Sequence, residues 1–124
     1  MTELTFRKLL KAGVPLVFGS GAVAGDGAFP HGKQADQFAW MVRWGMTPAQ
    51  ALQSAFMPAA GVLNYDWANR VGSLEKGKFA DIIAVAGNPL TDVTEMERVK
   101  FVMKGGVVMK NELASRPAPS TAAR

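Results

Sequence analysis

The 124 residues include no cysteine and only one histidine, His31. The first absence removes disulfides, thiolate nucleophiles and sulfur-ligated metals, and it fits a reducing compartment. The second restricts metal chemistry, because a catalytic zinc-type centre takes three or more side chains from His, Asp or Glu plus an open position for water. No apolar run approaches the roughly 20 residues of a membrane span. The first ten residues carry early charges where a secretory leader would have a long apolar stretch. Neither sign of charge dominates: 14 Lys and Arg against 10 Asp and Glu leave +4. The basic residues are scattered, and no aromatics interleave with them as a nucleic-acid stacking platform needs. There is no internal repeat. The expectation is a soluble cytoplasmic protein with no nucleic-acid and no membrane partner.

What is present is a globular balance, with 48% hydrophobic and 19% charged residues and a length that suits one domain with a modest core. Residues 2–12 place Leu4, Phe6, Leu9 and Leu10 at helical spacing and stop at Gly13. Residues 14–18 are continuously apolar, as a strand buried on both faces is, with Pro15 near the start. Five glycines and a proline over residues 19–32 make that segment a loop. Residues 33–45 read as a helix with Phe38, Met41, Val42 and Gly45 along one side and Trp40 and Trp44 on another. Thr47 and Pro48 open a further helix as N-cap and first-turn proline. It runs to about Leu63, with Ala51, Leu52, Ala55, Phe56 and Ala59 inward, and Pro58 should kink or shorten it.

After a polar turn over residues 64–73 come a buried strand around 81–86, a loop or short helix over 89–98, and a hairpin. In the hairpin, residues 100–104 and 107–110 flank Gly105 and Gly106, two positions able to take positive φ. Residues 112–124 have no periodicity and read as a disordered tail. Pattern alone gives mixed α and β.

The stretch GSLEKGKFADIIAVAGNPL (residues 72–90), continued by FVMKGGVVMKN (residues 101–111), resembles the closing segment of the metal-dependent amidohydrolase superfamily. The likeness is strongest to the imidazolonepropionase-like and Xaa-Pro dipeptidase-like (prolidase) branch, and it reaches back to about Val14. Such enzymes normally need several hundred residues. The resemblance therefore implies an α/β fold in which residues 1–64 are the last β/α unit of an incomplete TIM-type barrel, with its terminal strand and helices. Residues 65–111 would be a segment of the small appended β-sandwich. The implied function is that of the C-terminal portion of a hydrolase acting on C–N bonds in small peptides or cyclic amides.

In that family the last barrel strand ends in Gly-Thr-Asp or Gly-Ser-Asp, whose Asp binds the metal and takes a proton from the attacking water. The matching residues are Phe18, Gly19, Ser20, Gly21 and Ala22, which put Gly21 where the Asp would stand. Glycine can neither ligate nor abstract. The nearest carboxylate is Asp26, which reads as a solvated loop residue unless it swings into a similar place. His31, in the run Phe29, Pro30, His31, Gly32, matches a triplet at the mouth of the family's site. That match implies that His31 and Gly32 touch substrate; the alternative is an exposed imidazole that binds nothing. The family's His-x-His pair, bridging lysine and two later histidines lie upstream of residue 1. No metal ligand set is therefore expected within this chain, although the parent family uses zinc or another divalent metal.

Ser20, Asp26 and His31 could be drawn as a triad for metal-independent hydrolysis. However, the Gly-x-Ser-x-Gly frame fails, because Phe18 stands two residues before Ser20. The loop glycines could form an anion-binding nest or a plain connection. Asp81 reads as a carboxylate accepting backbone N–H groups where its strand begins. The partners expected are further copies in a homo-oligomer, or a missing barrel polypeptide, with a small peptide or amide as substrate. The alternatives to a hydrolase fragment are a non-catalytic self-associating structural module and a metal-independent hydrolase using the 19–32 loop.

Overall fold

The computed structural model describes residues 1–21, 31–63 and 65–113. Helix α1, Glu3–Lys11, starts at Thr2, whose hydroxyl accepts the Thr5 N–H, and it has Glu3 in its first turn and Lys8 and Lys11 in its last. Both charge placements suit the helix dipole. At its end, Gly13 takes φ +71°, and the Gly13 and Val14 N–H groups bond to the Leu10 and Leu9 carbonyls at 3.1 Å each. Helix α2, Asp36–Arg43, ends in the same double-bonded way. Gly45 donates to Val42 at 3.0 Å and Met46 to Met41 at 3.1 Å. Gly45 must be glycine-like there, since its φ is +117°. The last carbonyl of α2, on Arg43, also accepts from the Arg7 guanidinium at 3.1 Å, tying α1 to α2.

The single long helix expected after Thr47 is two helices. Helix α3, Pro48–Ser54, opens with a full capping box between Thr47 and Gln50, and α4, Met57–Leu63, follows. The break has a chemical cause. Pro58 has no N–H to give to the carbonyl four residues back, on Ser54. That carbonyl instead accepts the Phe18 N–H at 3.2 Å. Phe56, expected inward, is 44% exposed at this break, and Ala60, not the expected Ala59, is the buried alanine of α4. A short α5, Tyr65–Ala68, occupies part of the expected polar turn.

Residues 14–18 form no strand. An apolar run becomes a strand only by pairing its N–H and C=O groups with a neighbour, and none lies alongside among the described residues. The sheet has three antiparallel strands in the order β1 (Ile82–Ala84), β2 (Phe101–Lys104), β3 (Val107–Asn111). The hairpin is as predicted: Gly105 and Gly106 take φ +55° and +82°, and Lys104 faces Val107 across them. A register shift between Val102 and Met103 leaves Met109 as the extra residue of β3. β1 is shorter and more exposed than the expected buried strand, with Ile83 46% exposed.

Asp81 accepts the Gly105 N–H at 2.7 Å and pairs with Lys104, holding the turn to the start of β1. Glu112 belongs with the hairpin as well. Its N–H bonds to the Lys100 carbonyl at 2.8 Å, and its carboxylate meets Lys100 and Lys110. Of the tail expected over 112–124, residues 114–124 lie outside the described residues.

One core serves both halves of the sequence. Phe6, Phe38, Met41, Met46, Ala51 and Leu52 pack with Val93 and Met96 from the 3₁₀ helix Val93–Arg98. Leu16 and Phe18 lie against this cluster, and the Phe18 ring stacks on Phe38 at 4.5 Å between centroids.

Candidate functional site

Packing of residues 16–18 onto the core brings the following residues, Gly19 and Ser20, beside the turn that leads into α2. They share a groove of about 720 Å³ with Lys33, Gln34, Trp40 and Trp44. Ser20 is half-buried. On the same turn the Gln34 amide bridges two groups. Its carbonyl oxygen accepts the Gly32 N–H at 2.6 Å, and its nitrogen lies 3.0 Å from His31 Nδ1. With the Gln34 oxygen engaged by Gly32, its NH₂ donates to Nδ1, so the proton of the neutral ring sits on Nε2. Gly32 takes φ +96°, a conformation that a side chain would strain. His31 and Gly32 therefore form a fixed polar turn at the surface with an Nε2–H donor free to offer.

Gln34 is the residue that sequence reasoning missed. The signal was its position three residues after His31, close enough for the two side chains to meet across a tight turn that Gly32 makes possible. Asp26 falls outside the described residues, so the drawn triad has no geometry beyond the placements of Ser20 and His31. A second groove of about 760 Å³ opens between the α2 side and the sheet, bounded by Phe18, Phe38, Phe56, Ile83 and Met96. Lys33, Gln34, Asp36, Glu97 and Lys110 line it as well. The carboxylates held below their ordinary range, Asp81, Asp92, Glu95 and Glu112, belong to the sheet and the 3₁₀ helix. Among the described residues no three of His, Asp and Glu come together as a metal-ligand group. Nor does any described helix have the length and apolarity to cross a membrane.

Residues 3–109 match the model of the amidohydrolase family. The chain belongs to that family. Ochratoxinase from Aspergillus niger is 33% identical over 109 residues, which is 85% of this amidohydrolase chain and 21% of that protein. The chain thus spans about a fifth of the length of the curated relatives it matches. Among solved structures, a Xaa-Pro dipeptidase with methionine in its active site superposes with TM-score 0.79 at 39% identity. That match covers 88% of this chain and 25% of the dipeptidase. The A. niger ochratoxinase structure gives TM-score 0.73 at 31% identity, covering 88% and 24%. A molinate hydrolase gives 0.72 at 28%, covering 98% and 30%.

The family generally uses divalent metals. The donors described here do not fit such a site: one imidazole already occupied at Nδ1, glycine at position 21, and no cysteine.

Proposed function

We propose that this chain forms the closing quarter of a barrel hydrolase that cleaves C–N bonds in small peptides or amides, with Ser20, His31 and Gly32 on its substrate rim. The observation that carries this reading is the backbone likeness to the Xaa-Pro dipeptidase, at TM-score 0.79 and 39% identity. The His31 turn supports the rim assignment, because its Nε2–H can donate to a substrate carbonyl or carboxylate. The metal ligands must then come from a barrel polypeptide outside these residues. A divalent metal there would supply the activated water, while this chain orients the substrate. The lack of cysteine supports a reducing, cytoplasmic setting.

The test is reconstitution with the barrel portion of a relative. Zinc retention and hydrolysis of Xaa-Pro dipeptides are expected from the pair and from neither part alone. In the assembled enzyme, His31→Ala should lower kcat/KM about tenfold, mostly through KM, as loss of a substrate contact does. Stoichiometric zinc bound tightly by this chain alone would overturn the reading.

A second reading has its own support. The exposed faces of Phe56, Ile83, Val108 and Met109 favour a self-associating module without catalysis, in which further copies cover the surface.

A further inference from the structure

The groove of about 760 Å³ between the α2 side and the sheet has an end that lies apart from the rim residues. Phe56, Ile83, Met96, Glu97, Val99 and Lys110 wall that end, and none of them lines the groove beside Ser20. Phe56 and Ile83 are 44% and 46% exposed, so apolar surface stands open there. Lys110 is engaged, donating to the Val99 carbonyl at 2.8 Å and pairing with Glu112. Glu97 is exposed, and its carboxylate forms no hydrogen bond or ion pair among the described residues. The open charge at this end is therefore negative.

The backbone leads its own continuation to this wall. The Glu112 N–H bonds to the Lys100 carbonyl at 2.8 Å, which extends the antiparallel pairing of β2 and β3 by one residue. A chain leaving Leu113 in that direction runs back along residues 96–99. The sequence that follows, ASRPAPSTAAR (residues 114–124), carries two arginines, two prolines and no acidic side chain. Proline has a fixed φ, so less conformational freedom is lost when such a segment docks on an aromatic-lined groove.

We propose that residues 114–124 occupy the sheet end of this groove, with Pro117 and Pro119 on Phe56 and Ile83 and Arg116 paired with Glu97. Arg116 follows Leu113 by three residues, at most roughly 10 Å of chain. So short a tether sets an effective concentration on the order of 1 mM, and a contact too weak to hold a free peptide then holds this segment. A second copy offers the same residues without the tether, which makes the chain's own segment the occupant. The edge of β3 stays open to further copies. The inference rests on neither reading of function, because the walls it uses exclude Ser20, His31 and Gly32.

The chain has no cysteine, so Ser120→Cys gives the full chain a single thiol for a nitroxide label. The experiment reads paramagnetic broadening of the backbone amide signals by NMR. Strong broadening is expected at Phe56, Ile83 and Met96, and none at Leu74. Glu97→Lys makes the paired charges repel and should cut the broadening at Ile83 about twofold, the range of an exposed ion pair. Replacing both prolines, Pro117→Gly with Pro119→Gly, should also cut it by restoring freedom to the undocked segment. In a mixture of labelled chain and isotope-enriched unlabelled chain, the enriched signals should stay sharp at Phe56 and Ile83. Equal broadening in that mixture would make a second copy the occupant and overturn the proposal. So would broadening unchanged in both variants, or broadening confined to residues 110–113. Glu97 is exposed, so a retained native spectrum separates lost docking from lost folding. Failure here leaves the reconstituted hydrolysis untouched, and the reverse also holds.

Discussion

Asp81 is the side chain whose sequence reading was most specific. A carboxylate at the start of a strand was expected to accept backbone N–H groups, and it takes the one from Gly105. What the sequence could not supply was the donor, 24 residues further on. The Lys104 hydrogen bond, then the Gly105 N–H, hold the Asp81 carboxyl below its ordinary range. A folded-state pKa below the unfolded one gives stability that is full above about pH 4 and is lost as pH falls through the lower value. Asp81→Asn removes that titration but keeps an acceptor for Gly105. Its urea midpoint should therefore lie below the parent's near pH 6 and should fall less between about pH 6 and about pH 3. A variant with the parent's full acid sensitivity would place the titration elsewhere, on Asp92, Glu95 or Glu112.

The hairpin was legible because its determinants are local. Two adjacent glycines, both at positive φ, close a two-residue turn between apolar runs. Replacing Gly106 with Val places a β-branched side chain at φ +82°, where the left-handed conformation costs about 1–2 kcal/mol. Chemical denaturation of Gly106→Val should show a loss of that size, and an unchanged midpoint would mean that the turn had found another geometry. The N-cap at Thr47 and the stop at Gly13 were legible for the same reason, whereas Gly45, read as part of a helix face, proved to be the stop of α2. Residues 14–18 show the opposite case. Their apolar character marks burial, and they do pack on the core through Leu16 and Phe18. Strand formation, however, depends on a neighbour that the run itself does not encode. The split at Pro58 lies between the two. A missing N–H was visible in the sequence, but the use of the freed Ser54 carbonyl by Phe18 was not.

Taken as a unit, the molecule leaves more apolar surface open than its core would suggest. Phe56 and Ile83 border the groove between the α2 side and the sheet, and Val107, Val108 and Met109 give β3 an exposed apolar edge. Such surface drives association. Light scattering of the purified chain should give a mass above that of one chain, rising with concentration. Val108→Lys, which puts a charge on that edge, should shift the population toward monomer. A single-chain mass at all concentrations, with a native-like spectrum, would remove the self-association reading and favour a separate barrel polypeptide as the cover.

Membership of the amidohydrolase family, the shortage of metal donors and the turn positions all follow from residue identities and short-range backbone preferences, so the chain carries them without any fold. The capture of Gly105 by Asp81, the use of the Ser54 carbonyl by Phe18 and the single core joining Phe6 to Met96 arise from folding. Each depends on groups far apart in the chain, or on which rotamers packing allows, and no local pattern encodes those choices.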